Sequence, residues 1–202
     1  MATIASVITM VGYELQMTVG ASTTPSTAEV TQWIKDAQRS MIVDLKSAYL
    51  GECLKTEEIA MTTPWTSVTP TDQTVLELES AMLYDNTDSS YTPCRILEYS
   101  PFYTLSKSGK NAEAYTYISS FNSEDAKVYV YPAGTENTDK LAISYRQDLD
   151  IADTDYRLHT ITIPAAVQYT CFLAALQSED MVQMAMKFYT AYNELVKDFR
   201  RR

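Results

Sequence analysis

His159 is the only histidine in this sequence of 202 residues, and it limits the catalytic chemistry available. A serine or cysteine nucleophile activated by histidine would have to use it. It lies between Leu158 and Thr160, with no nucleophile motif nearby. One histidine also excludes the histidine clusters that hold catalytic zinc. We therefore interpret His159 as a structural or surface residue and predict that the protein is not an enzyme.

An acidic run at Asp148, Asp150, Asp153 and Asp155 has some features of a calcium site. Calcium loops place acidic residues at alternating positions, followed by a glycine and a bidentate glutamate. The glycine and the glutamate are absent here. The run is therefore interpreted as a solvated loop.

Glu77, Glu79 and Glu98 fall on predicted strands, where a pair of carboxylates could cleave a glycosidic bond. Tyrosines that could stack on sugars occur nearby: Tyr99, Tyr103, Tyr115 and Tyr117. Acid pairs and alternating tyrosines are also ordinary on sheet faces. Glycan binding or cleavage stays an alternative, and the 15 tyrosines also suit a protein–protein interface.

The cysteines and glycines provide no cofactor motif. Cys53, Cys94 and Cys171 are odd in number and have no CxxC spacing, so neither a zinc site nor a disulfide framework is indicated. We interpret them as packed small hydrophobic residues. None of the five glycines forms a phosphate-binding motif. We predict no metal and no cofactor.

Negative charge dominates, with 26 acidic against 16 basic residues and a net charge of −10. Three of the bases are Arg200, Arg201 and Arg202, so the rest carries 13 bases against 26 acids, or −13. Such a body does not grip nucleic acid through its phosphates, although DNA could pass beside it. The arginines either favour the negative end of a helix or dock on an acidic partner. Phe199 and these three arginines are the candidate partner-binding residues.

The sequence contains no recognisable membrane-spanning segment and no recognisable export signal. No apolar run reaches the ~18 residues of a membrane span. The first 11 residues contain no lysine or arginine, unlike a signal peptide. We expect synthesis in the cytoplasm and no membrane partner.

Helical periodicity marks both ends of the sequence. Apolar residues recur at helical spacing over residues 2–17, which predicts a first helix. A second helix is predicted from residues 25–27 to about residue 47, and Ser26 with Glu29 has the spacing of a capping box at its start. Pro164 suits the first turn of a third helix. After a break at 178–180, a fourth helix runs to the terminal arginines.

Between these ends, the sequence is typical of β-strands, being rich in Tyr, Ile, Val and Thr. The predicted strands are 53–61, 74–79, 95–99, 114–121, 127–131 and 141–145. Because no helix is predicted between them, the sheet should be antiparallel and form a small sandwich or barrel.

The predicted fold class is α+β. Two terminal helical hairpins, 1–50 and 161–202, form a four-helix bundle, the second ending in the basic tail. An antiparallel β subdomain, 51–160, is inserted between them.

Four ordered features resemble one protein family. A helix at 28–42 contains Trp33, with Lys35 where members usually have asparagine. A strand at 128–132 ends in Tyr-Pro, and a strand at 141–146 ends in Tyr-Arg. An Ile-Pro helix, an acidic break and a last helix with a basic end follow. Together they resemble the head-to-tail adaptors of short-tailed bacteriophages, called tail tubular protein A or gatekeeper proteins.

The resemblance implies a structural virion protein made in the host cytoplasm and located in the neck. Such adaptors form a ring of twelve copies that links the portal to the tail nozzle, and DNA is ejected through the ring. It further implies that the terminal arginines dock on the portal as a tail that orders on assembly. Two alternatives stay open: a head- or tail-completion ring protein of another phage type, and a tail-associated glycan-binding or lytic protein.

Overall fold

The structure is a computed structural model that divides into two compact units. The helical unit comprises residues 1–53 and 149–202, and the β unit comprises residues 54–148. The residues described are 2–61, 67–71, 74–85, 89–108, 116–132, 139–149, 154–177 and 179–201.

Five α-helices occur among the described residues: α1 (Ile4–Glu14), α2 (Thr27–Asp44), α3 (Tyr99–Ser108), α4 (Ile163–Ala175) and α5 (Val182–Arg201). Short 3₁₀ turns precede or follow them at Ser47–Tyr49, Gly51–Cys53, Thr160–Thr162 and Glu179–Met181. All of the α-helices except α3 belong to the helical unit.

The start of α2 is fixed by the predicted capping box, which the structure confirms. The Ser26 hydroxyl accepts from the Glu29 backbone N–H at 3.4 Å, and the Glu29 carboxylate accepts from the Ser26 N–H at 2.8 Å. Two backbone donors at the helix start are thereby satisfied. Thr3 caps α1 in the same way, by accepting from the Ser6 N–H at 3.3 Å.

Helix α4 is the centre of the helical unit, and α1, α2 and α5 all pack against it. Small side chains on several sides of α4 are fully buried: Ala165, Ala166, Thr170, Cys171 and Ala175. The Thr170 hydroxyl donates to the Ala166 carbonyl at 2.8 Å, so its burial leaves no unpaired donor. Small residues let neighbouring helices approach α4 closely from different directions.

The predicted four-helix bundle, built from two terminal hairpins with an inserted antiparallel subdomain, is wrong. The fold is α+β, with five α-helices and two four-stranded sheets in the described part of the chain. The prediction assumed that α4 buries one stripe, as a helix of a hairpin does. Instead α4 is apolar nearly all round, which is the pattern of a central, enclosed helix.

The β unit contains two four-stranded sheets. Its strands are β1 (Leu54–Ala60), β2 (Ser67–Val68), β3 (Val75–Asp85), β4 (Ser90–Pro93), β5 (Arg95–Leu97), β6 (Tyr117–Ser119), β7 (Val128–Tyr131) and β8 (Lys140–Gln147). The strand orders are β1-β8-β3-β4 and β2-β7-β6-β5. Apolar side chains of both sheets, including Leu141 and Ile143 from one and Ile118 and Val128 from the other, form a single hydrophobic core.

The prediction that all strands are antiparallel is wrong at one pair, because β5 and β6 run parallel. Parallel neighbours need a crossover connection, and α3 lies in the chain between them. The strand predicted over 95–99 ends at Leu97, and Tyr99 is the first residue of α3. Phe102 is buried, whereas the other described side chains of α3 are exposed or half-buried. The packing of α3 on the β unit therefore depends mainly on this one aromatic side chain.

Gly51 fits beside the segment 157–159 in the helical unit because it has no side chain. Its φ is +56°, and an added Cβ would lie 2.5 Å from the Arg157 carbonyl oxygen. The neighbouring backbone is paired on both sides: Glu52 N–H donates to Arg157 O at 2.9 Å, and His159 N–H donates to Tyr49 O at 3.1 Å.

Replacing Gly51 with alanine should destabilise the protein by about 1–3 kcal/mol through backbone strain alone, with the clash in addition. Gly20→Ala is the matched control, because a Cβ there meets its nearest neighbour at 3.7 Å. Chemical denaturation followed by circular dichroism measures both variants. Equal midpoints for the two would contradict the account of Gly51.

Ala166→Leu should lower the free energy of unfolding by about 1–3 kcal/mol, because the larger side chain overpacks the centre of the helical unit. Ala28→Leu makes the same chemical change at an exposed position of α2 and should have little effect. Thermal denaturation of both variants tests this. A harmless Ala166→Leu would show that α4 is not tightly enclosed.

Candidate partner-binding surface

Helix α5 is long, but few of its residues are buried. It has 20 residues, and four are buried: Ala185, Tyr192, Val196 and Phe199. These four lie on one narrow face, which packs mainly on α4. Most of the other side chains of α5 are exposed.

The four predicted partner-binding residues occupy different environments. Phe199 is 5% exposed and its ring lies 5.4 Å from that of Tyr49, so it belongs to the core of the helical unit. Arg200 and Arg201 are exposed in the last turn of α5. Arg202 lies outside the described residues.

Arg200 forms an ion pair with Asp44, at 2.5 Å between guanidinium nitrogen and carboxylate oxygen. Both side chains are substantially exposed, so the pair contributes little to stability and can exchange partners. The two arginines also favour the negative end of the helix dipole. In the structure they are thus part of an ordered helix, whose end presents positive charge to solvent.

An aromatic cluster joins α4 to α5. It consists of Tyr169, Phe172, Tyr189 and Tyr192, with ring centroids as close as 4.9 Å. The Tyr192 hydroxyl lies 3.0 Å from the Ser40 hydroxyl, which connects α5 to α2 as well. Burial raises the pKa of Tyr192. The cluster fixes the direction in which α5 points.

The helical unit also exposes apolar surface. Large side chains that are about half exposed include Met10, Leu176, Val182 and Met186. Beside them is a groove lined mainly by Leu15, Met17, Pro25, Ala174, Ala175 and Met181. The groove lies near the start of α5, whereas Arg200 and Arg201 lie at its end. Exposed apolar surface marks a candidate site of protein contact.

His159 has a structural environment. Its side chain caps the short Thr160–Thr162 turn, where Nδ1 accepts from the Ile161 N–H at 3.3 Å. The residue is exposed, and its backbone N–H pairs with Tyr49. His159 therefore stabilises the short turn that precedes α4.

Two of the three candidate glycosidase carboxylates, Glu77 and Glu79, form ion pairs. Glu77 and Glu79 both contact the same guanidinium, that of Arg146 on β8, with Glu79 the nearer. Glu98 lies on a separate segment, where its carbonyl accepts from Phe102 at the start of α3. Both carboxylates therefore contact an arginine across the sheet, which is ordinary ion pairing between neighbouring strands.

Metal and thiol chemistry also find no site in the described part of the chain. No group of three or more His, Cys, Asp or Glu side chains there could hold a metal ion. Of the acidic run, Asp150 and Asp153 lie outside the described residues. None of the three cysteines forms a disulfide. Burial raises the pKa of Cys94 to about 11 and that of Cys171 to about 12, so both thiols are protonated at neutral pH.

No described helix combines the length and the apolar character needed to cross a bilayer.

Comparison with protein families identifies the chain through residues 2–202, which match the family model described as SU10 adaptor protein. The chain belongs to the SU10 adaptor protein family. This is a family of bacteriophage adaptor proteins, consistent with a structural role between head and tail. It implies partners in the virion neck, such as portal and tail proteins. No curated protein matches the chain.

The basic end of α5 is predictable from the sequence, whereas its contacts with Asp44 and Tyr49 are not. Asp44 and Tyr49 are more than 140 residues away in sequence, and no local pattern signals their proximity to Arg200 and Phe199. The heptad spacing of hydrophobic residues in α5 could have indicated that Phe199 faces inward.

Phe199→Ala should destabilise the protein by about 3–5 kcal/mol, because it removes a buried ring. Arg201→Ala should change stability by no more than about 0.5 kcal/mol, as an exposed residue of the same turn. Urea denaturation compares the two. Similar losses in both variants would contradict the assignment of Phe199 to the core.

Proposed function

We propose that this SU10 adaptor family member acts as a ring-forming head-to-tail adaptor, like tail tubular protein A or the gatekeeper proteins. It links the portal to the tail nozzle, and DNA leaves the head through its centre. The family match over residues 2–202 carries this proposal. The ordered features of the sequence and the exposed end of α5 support it.

The charge distribution suits a channel for DNA. The β unit has 14 acidic against 7 basic residues, for −7, and the helical unit has 12 against 9, for −3. A ring of twelve copies would carry −120. Negative walls repel phosphates, so the genome would slide through rather than bind.

The basic end of α5 is the proposed contact with the portal. Arg200 and Arg201 are exposed at the tip of an ordered helix, and Arg202 follows them. Arginine pairs well with carboxylates in bidentate geometry, so an acidic portal surface is the expected partner. Docking would exchange the exposed Arg200–Asp44 pair for contacts with that surface.

The arginine contact is tested by binding to portal-bearing heads, measured by co-sedimentation of labelled protein. The triple variant R200A/R201A/R202A should bind at least about tenfold more weakly, because charged contacts across an interface are lost. The control K46A/K55A/K107A removes three exposed lysines and the same total charge. Equal binding of both variants would disprove the arginine contact. Failure of the unmodified protein to bind heads would count against the adaptor proposal itself.

A further inference from the structure

A second apolar stripe runs along α5, beside the face that packs on α4. It consists of Met184, Phe188, Ala191 and Leu195, at the i, i+4, i+7, i+11 spacing of a coiled-coil seam. Met184 is 44% exposed and the other three are half-buried. The contacts of α5 with α2, from Tyr192 and Arg200, lie on the opposite flank of the helix. This stripe is therefore incompletely covered within the chain.

A row of charges follows the outer edge of this stripe with a seven-residue repeat. Its members are Asp180, Lys187, Glu194 and Arg201, and all four are exposed. Asp180 lies in the 3₁₀ turn before α5, and Arg201 is the last residue of the helix. The sign alternates along the row, from negative at the start of the helix to positive at its end.

This row is complementary to itself when two copies run in opposite directions. In an antiparallel pair, residues whose numbers sum to nearly the same value face each other. Asp180 then faces Arg201 of the other copy, and Lys187 faces Glu194, each twice. The same register places Met184 against Leu195 and the small Ala191 against the large Phe188. Helix dipoles also favour the antiparallel arrangement.

A parallel pair of helices lacks these contacts. In a parallel coiled coil the charges flanking the seam would meet the positions of Ala185, Tyr192 and Phe199 on the other copy. Those three side chains are buried inside the helical unit. The charge pattern therefore selects both the partner, a second copy, and its direction.

We infer that two copies of this chain associate through α5, paired antiparallel along Met184, Phe188, Ala191 and Leu195 and fixed in register by Lys187–Glu194 and Asp180–Arg201 contacts. The interface is small, so the dissociation constant should be on the order of micromolar or weaker. The contact is two-fold and closes on itself, unlike the head-to-tail contacts of a ring. It belongs to the free protein before assembly.

The dimer has a consequence for assembly that rests on the proposed function. Pairing covers Arg201 at each end of the interface, so dimers would have to separate before the helix end could dock on a portal. The dimer itself is tested on the free full-length chain, without heads or portal, so failure of either proposal leaves the other standing.

Sedimentation velocity over a concentration series from about 1 to 100 µM should show the unmodified chain passing from monomer to dimer, and the midpoint gives the dissociation constant. K187E places like charges opposite Glu194 at two sites and should weaken the dimer by roughly fivefold or more. K197E makes the same charge change at an exposed position of α5 away from the stripe and should leave the dimer intact. K187E/E194K restores opposite charges and should rescue association.

Cross-linking tests the direction of pairing. A mixture of K187C and E194C chains, treated with a short bismaleimide, should give cross-linked dimers about tenfold faster than either variant alone, because association brings positions 187 and 194 together. The unmodified chain, with its buried Cys53 and Cys171 and half-buried Cys94, is the background control. The inference is overturned if the chain sediments as a monomer, if K187E and K197E behave alike, or if K187C alone cross-links as fast as the mixture.

Discussion

The small side chains of α4 are the constraint on which the helical unit depends. Ala165, Ala166 and Ala175 are fully buried, and three other helices pack around the helix that carries them. Since protein interiors are close-packed, a larger residue at any of these positions would displace a neighbouring helix. The position of α5 follows from this packing, because α4 provides the main surface on which it lies.

The packing of α5 on α4 determines which of its side chains are exposed to other molecules. One narrow face is used inside the chain, and the aromatic cluster and the Tyr49–Phe199 contact fix its orientation. A rigid helix presents charge at defined positions and loses little entropy on binding. A structural adaptor benefits from this arrangement, because its contacts must form in the same geometry in each copy. The predominantly acidic composition of the β unit is compatible with the proposed passage of DNA, because like charges repel.

Local sequence patterns predict helices and strands well where a single feature, such as helical periodicity or a run of β-branched residues, is strong. The helical period and the Ser26–Glu29 capping box placed α2 nearly correctly, and β-branched and aromatic residues located β7 and β8. Tyr99–Ser108 carries no such signal: a strand is predicted to end at Tyr99 and no helix is predicted after it, whereas the segment forms α3, in which Phe102 is buried. Missing that helix also produced the wrong expectation for the parallel β5–β6 pair.

The arrangement of the helices was not predictable from their separate stripes. Choosing between a four-helix bundle and a central α4 requires knowing which apolar faces meet, and that depends on contacts distant in sequence. The same limit applied to the candidate site, where the sequence located the basic end of α5. The helical period of α5 separates Phe199, in the core, from Arg200 and Arg201 at the surface, but it does not show that Asp44 and Tyr49 lie beside them.

The central claim is that this SU10 adaptor protein joins head to tail as a ring. Cryo-electron microscopy of the purified chain mixed with portal-bearing heads tests it most directly. The account predicts a closed ring of about twelve copies beneath the portal, the number that the family resemblance implies, with the end of α5 against portal density. Heads without added density at the portal, or with the chain bound elsewhere on the capsid, would contradict it.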